Sequence, residues 1–201
     1  MIAIIDYDAG NILSVKKALE FLGEAPVLSR DPDILMKADK VILPGVGAFG
    51  DCMNNLNMYN LVPVIYDIVR KNTPFLGVCL GQQLLFEESE ENPGVKGLGL
   101  LKGVIKRIPT GEYEKIPHMG WNSLEWGNEG RLFKNINNGA YVYFVHSYYL
   151  HAEDRNIVTA TTQYNVTIDA SVESNNVFGC QFHPEKSGEV GLTILKNFIE
   201  L

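Results

Sequence analysis

Short apolar runs alternate with amphipathic segments through the first half of the chain. Ile2 to Asp6 is an unbroken apolar strand, followed by a helix whose apolar positions Ile12, Val15, Leu19 and Leu22 recur at helical spacing up to a stop at Gly23. Ala25 to Ser29 predicts a second strand, and Asp31-Pro32 opens a short helix in the cap-then-proline order. Val41-Ile42-Leu43 predicts a third strand, broken by Pro44-Gly45-Val46-Gly47, and a helix is predicted from about Tyr59 to Lys71. Phe75 to Val78 is the fourth strand. It stops at Cys79, after which an apolar helical pattern resumes. Uninterrupted strands alternating with such helices predict an α/β fold: a central, mostly parallel sheet flanked by helices, with ligands at the carboxyl ends of its strands.

Beyond Asn92-Pro93-Gly94 the pattern changes. Alternating strands are predicted at Leu98 to Ile108, Met119 to Trp126, Tyr141 to Leu150, Ile157 to Gln163, Thr167 to Glu173 and Val177 to Phe182, as in an antiparallel extension. A last helix covers about Ser187 to Leu201. There are no repeats and no linker, so residues 1–201 are expected to form a single domain.

Charge narrows the partners. A net charge of -7 without a basic cluster disfavours nucleic acid and anionic membrane. Cys52, Cys79 and Cys180 cannot form a closed disulfide set and match no metal spacing, so a reducing compartment and no metal are expected. Met1 to Asp6 lacks a basic leader and no apolar run reaches the length of a membrane span, which predicts a cytoplasmic protein.

The candidate chemistry centres on Cys79. Gly77 and Gly81 stand two residues to either side, where a tight strand-to-helix turn leaves no room for side chains. The helix that follows aims free N–H groups at the sulfur and favours the thiolate. Cys79 is therefore a candidate nucleophile, although buried cysteines commonly only pack. A nucleophile needs a base, and the histidines are His118, His146, His151 and His183. His183 stands out because Glu185 lies two residues on with Pro184 between. In extended chain both face one side, so the carboxylate can orient the ring.

These residues carry a resemblance. Gly77-Val78-Cys79-Leu80-Gly81 with Gln83, followed by Phe182-His183-Pro184-Glu185, is similar to the class I, or triad, glutamine amidotransferases, and implies their flavodoxin-like fold. Within that family the chain resembles most closely the glutaminase subunits of imidazole glycerol phosphate synthase. The marks are Ile5-Asp6-Tyr7 with Gly10-Asn11 and Ser14-Val15, Pro44 to Gly47, Pro117 to Asn122, Tyr143 to Tyr148, and Lys186 after the glutamate. Asp8 stands where the resemblance implies a glycine.

The resemblance implies hydrolysis of L-glutamine by Cys79, His183 and Glu185, without a cofactor. Ammonia would pass to a β/α-barrel cyclase subunit held as a heterodimer partner. The turn offers the Leu80 N–H to an oxyanion, and the resemblance places a second donor at Val46 or Gly47, where two glycines make a peptide flip easy. It also implies substrate contacts at Gln83, His146 and Ser147, and a partner-facing side with Asn11, His118, Met119, Trp121 and Lys186. On composition alone Gln83 suits an ordinary helix position, and Trp121 is more often core than interface. A paralogous subunit supplying ammonia to sugar biosynthesis and a partner-free cysteine hydrolase are the alternatives, the latter disfavoured because Leu80, not histidine, follows the cysteine.

Overall fold

The computed structural model describes residues 1–8, 11–111 and 115–201, so Gly10 of the first loop lies outside the described residues. The elements run β1 (Ile2–Ile5), α1 (Ile12–Phe21), β2 (Val27–Ser29), α2 (Pro32–Met36), β3 (Lys40–Leu43), α3 (Phe49–Met58), α4 (Leu61–Arg70), β4 (Phe75–Val78) and α5 (Leu80–Leu84). They continue with β5 (Glu88–Ser89), β6 (Gly103–Arg107), β7 (His118–Ser123), β8 (Glu125–Trp126), β9 (Tyr141–His146), β10 (Tyr148–Ala152), β11 (Val158–Tyr164), β12 (Val166–Ser174), β13 (Val177–Cys180) and α6 (Gly188–Ile199).

The main sheet has the order β2-β1-β3-β4-β13-β12-β11-β8. Its first five strands are mutually parallel, and the remaining pairings are antiparallel. Alternation along the strands divides the apolar side chains between two cores. Ala3, Ile5, Val41, Leu43 and Phe75 face one layer; Ile2, Ile4, Ile42, Leu76 and Val78 face the other. Among the described residues no helix is long and apolar enough to cross a membrane.

Local chemistry explains the boundaries. The Asp31 side chain accepts from the Asp33 N–H at 2.8 Å and caps α2. Gly23 takes the left-handed conformation that stops α1 (φ 89°).

Three expectations are corrected. A helix not anticipated, α3, precedes α4; it buries Phe49, Cys52, Met53 and Leu56 at helical spacing despite Gly50 and three asparagines. The run Leu98 to Ile108 is strand only from Gly103, because Leu98 and Leu101 donate their N–H groups to the carbonyls of Leu84 and Leu85 and pack onto α5 instead. The extension is also not one sheet. Tyr141 to Leu150 breaks at Ser147, sending β9 to pair with β7 and β10 to pair with β6 in two small separate sheets.

Candidate active site

Two neighbouring parallel strands deliver the chemistry. β4 and β13 pair with Val78 opposite Cys180, so the residues just beyond each strand emerge at the same carboxyl edge. One strand yields Cys79 and the other Gln181, Phe182 and His183. The Cys79 N–H extends the ladder by donating to the Cys180 carbonyl at 2.7 Å.

Cys79 adopts φ 56°, ψ −112°, a conformation L residues avoid, and the surrounding glycines explain how it persists. A Cβ on Gly81 would stand 1.9 Å from the Leu43 carbonyl oxygen, and one on Gly77 would stand 2.5 Å from that of Gly81. The turn is thus clamped between β3 and its own helix. The helix that follows, α5, spans only five residues, and its Gln82 and Gln83 N–H groups donate to the Cys79 carbonyl rather than to the sulfur.

His183 Nδ1 lies 2.8 Å from Glu185 Oε1. The route differs from the extended pairing anticipated: His183 is extended, but Pro184 to Lys186 form a 3-10 turn that folds the carboxylate back beneath the ring. Proline at the first helical position suits that turn. The other ring nitrogen, Nε2, is buried and has no hydrogen-bond partner among the described residues. Burial opposes the charged imidazolium, yet the Cys79 sulfur and the Glu185 carboxylate outweigh it and raise the pKa of His183 to about 10. Asn11 adds a contact that the sequence did not suggest: its Nδ2 donates to Glu185 Oε1 at 2.6 Å. It does so from a left-handed backbone (φ 68°) at the start of α1.

Cys79 and His183 share a cavity of about 270 Å³ with Val46, Gly47, Leu80 and Gln83. His146 and Ser147 also line it. A larger hollow of about 700 Å³, between Trp126, Arg131, Phe133 and Asn197, contains none of these residues. Within the smaller cavity the Leu80 N–H is already engaged, donating to the Gly45 carbonyl at 3.3 Å. Gly45 must be glycine because a Cβ there would meet the Gly81 nitrogen at 2.8 Å and the Tyr7 hydroxyl at 2.9 Å. The buried Tyr7 hydroxyl in turn donates to the Pro44 carbonyl at 2.6 Å.

The anticipated partner-facing residues divide. Met119 and Trp121 are 62% and 56% exposed on β7, and Lys186 is exposed at the end of the 3-10 turn. His118 is buried, because alternation along β7 turns it to the opposite face from Met119 and Trp121. It stacks between Phe144 and Tyr164, with ring centroids at 4.6 and 3.9 Å.

His118 instead pairs with His146, Nδ1 to Nε2 at 2.9 Å. The Tyr148 carbonyl, which can only accept, lies 2.8 Å from His146 Nδ1 and so places the proton there. His146 Nε2 is left to accept from His118 Nδ1. Burial pushes His118 down to about 4; burial, then the nearby His118 and His183 against the Tyr148 carbonyl, pushes His146 down to about 3. Both rings are neutral in the fold, and a proton on His146 Nε2 would face the N–H of His118. Below about pH 6.5 the unfolded chain therefore binds two protons that the folded chain refuses, so stability is lost as pH falls. The expected slope between about pH 6 and 4.5 is about 2–3 kcal/mol per pH unit. Urea midpoints measured across that range check it, and a flat profile would exclude a neutral pair.

Fold and site together define an α/β protein with a cysteine, histidine and glutamate constellation at the carboxyl edge of a parallel sheet. The chain belongs to the glutamine amidotransferase class-I family, whose sequence model matches residues 3–201. It is 50% identical over 200 residues to the imidazole glycerol phosphate synthase subunit HisH of Moorella thermoacetica, covering 100% of this chain and 94% of that one. It is 52% identical over 203 residues to the subunit of the same name from Geobacillus kaustophilus, covering 99% and 96%. Among solved structures a glutamine amidotransferase superposes with a TM-score of 0.77 at 19% identity, covering 100% of this chain and 98% of the other, a likeness of fold.

Proposed function

We propose that this chain is the glutaminase subunit of an imidazole glycerol phosphate synthase, a cytoplasmic single-domain protein that hydrolyses L-glutamine and passes the ammonia to a cyclase subunit for histidine biosynthesis. Full-length identity near 50% to subunits of that name supports the assignment. The observation that carries the chemistry is the buried Nε2 of His183, without a hydrogen-bond partner among the described residues, whose Nδ1 is tied to Glu185 and whose ring lines the same cavity as Cys79.

In this reading the Cys79 proton resides on His183 Nε2, in keeping with the raised pKa of that ring, and the Cys79 sulfur attacks the side-chain amide carbon of glutamine. The tetrahedral intermediate collapses to a thioester as His183 returns the proton to the departing ammonia. His183 then takes a proton from water, which adds to the thioester carbon, and the sulfur leaves as glutamate is released. Glu185 holds the ring and Asn11 holds Glu185. Gln83, His146 and Ser147 contact the substrate.

An oxyanion beside Cys79 needs the Leu80 N–H, which the Gly45 carbonyl occupies. Rotation of the Gly45–Val46 peptide would withdraw that oxygen and turn the Val46 N–H toward the cavity, the dihedral change falling on ψ of Gly45 and φ of Val46, with glycine on both sides of Val46 leaving the neighbouring backbone free to adjust. Gly47 sits at φ 107°, and the position of its missing Cβ has nothing within 4 Å. The resting chain is then a poor glutaminase until a loaded partner favours the rotated form. Met119, Trp121 and Lys186 form the side presented to that partner.

The test is glutamate release by the purified chain, alone and with the β/α-barrel cyclase subunit carrying its nucleotide ligand. Strong stimulation is expected, with a glutamyl adduct on the Cys79 peptide. An adduct without stimulation would reject the cyclase as partner; absence of any adduct would reject the glutaminase.

A further inference from the structure

One buried polar side chain at the sulfur has no part in the steps above. Gln181 follows the last residue of β13 and is fully buried. Its Nε2 lies 3.8 Å from Cys79 Sγ, and its Oε1 lies 2.9 Å from Gln83 Nε2. Gln83 Nε2 is in turn 3.0 Å from the Tyr148 carbonyl oxygen. We propose that Gln181 is a hydrogen-bond donor to the Cys79 sulfur, oriented by Gln83 and the Tyr148 carbonyl, and that it favours the thiolate both in attack and as the group that leaves when the thioester opens.

The two ends of a carboxamide have the same shape, so the partners must decide which end meets the sulfur. A main-chain carbonyl only accepts. The group of Gln83 that touches Tyr148 is therefore its NH2, and because the same nitrogen touches Gln181, the atom Gln181 presents to it is oxygen. The NH2 of Gln181 is left for the sulfur. The anchor is firm at both ends: the Tyr148 carbonyl also takes the His146 Nδ1–H at 2.8 Å, and the Gln181 main-chain N–H donates to the Ala170 carbonyl at 2.8 Å.

A donor fixed in a buried position suits an anion far better than a neutral thiol, since hydrogen bonds to charged groups are the stronger ones and this one needs no rearrangement. Gln83 thereby acquires a second duty as a positioning residue, distinct from touching the substrate. Among the described residues His183 with Glu185 behind it, Tyr7, Cys180, His146, Tyr148 and Glu91 are the other ionisable groups around the sulfur or its cavity, and all remain in place in the variant below.

The proposal rests on Cys79 being the nucleophile of the reading above, and its test is made without glutamine so that the two can fail separately. Iodoacetamide alkylates the thiolate, and the extent at Cys79 is read by peptide mass. In Gln181→Met, which keeps the length and lacks the donor, alkylation at neutral pH should slow about tenfold and the curve of rate against pH should move up by about one unit. A folded variant whose curve superimposes on the parent's overturns the proposal. Should the variant not fold, the parent chain carries the test: the side-chain amide protons of Gln181 should shift with pH along the same curve as Cys79 alkylation. Protons indifferent to the state of the sulfur overturn it equally.

Discussion

Gly81→Ala should unfold about 10 °C below the parent and hydrolyse glutamine at least about a hundredfold more slowly. The added methyl would be 1.9 Å from the Leu43 carbonyl oxygen and 3.0 Å from its carbon, and both belong to the main chain of β3 at the centre of the sheet. No flexible side chain can move aside, so either β3 bends or α5 moves away from it. Overpacking of this kind costs about 3 kcal/mol or more where the neighbour is backbone. If α5 moves, it carries Cys79 and the Leu80 N–H with it, and a displacement of about 1 Å in a reacting group is enough for the rate loss. Thermal unfolding by circular dichroism and glutamate release measured on the same sample decide the matter. An unfolding midpoint within a degree of the parent's would show that the close approach between α5 and β3 does not hold the turn.

Val46→Pro should lower the maximal rate of the stimulated enzyme by about 10²–10³-fold with little change in the glutamine concentration needed for half of that rate. Proline removes the N–H that the rotated Gly45–Val46 peptide would offer to the oxyanion, while the chain keeps its carbonyls. Val46 is not among the residues with positive φ, so the ring is compatible with the sign of its dihedral. Val46→Ala retains the N–H and separates loss of the donor from loss of the side chain; it should stay within a few-fold of the parent. Equal rates for the two variants would remove Val46 from the oxyanion site.

The alternation of apolar runs made the parallel half of the sheet legible, and Phe75 to Val78 is strand within the expected bounds. Gly77 and Gly81 indicated a crowded turn, although only the packed chain reveals that Gly81 meets β3. The resemblance grouped His118 with Met119 and Trp121, whereas period-two patterning along β7 puts His118 on the opposite face, which the structure shows to be the covered one. Patterning did not reveal the change of sheet at Ser147, since a run of aromatics pairs equally well with either neighbour. α3 was hidden by Gly50, Asn54, Asn55 and Asn57, whose weak helix propensity is overridden by burial of Phe49 and Leu56. Gln181 left one clue, a polar residue inside the apolar run from Val177 to Phe182. Its direction toward the sulfur depends on Tyr148, which is remote in the chain.

Asp8 lies in the left-handed region (φ 62°), which accounts for the glycine implied there by the family resemblance. Arg30 binds its carboxylate at 2.6 Å, Tyr59 donates its hydroxyl to it, and the Arg30 guanidinium lies 4.1 Å above the Tyr59 ring while also reaching Asp6 at 3.1 Å. Arg30 first and Tyr59 second hold the Asp8 carboxyl below the usual carboxylate range. Such an arrangement constrains the order in which these positions can mutate. With Arg30 and Tyr59 in place, a glycine at position 8 can become aspartate and exchange backbone freedom for an anchored loop. Once the aspartate is there, losing Arg30 leaves a side chain in a glycine conformation with Asp6 close by and no cation between them. The three residues thus form an epistatic set, in which the first loop can return to glycine most easily by changing Asp8 before either of its supports.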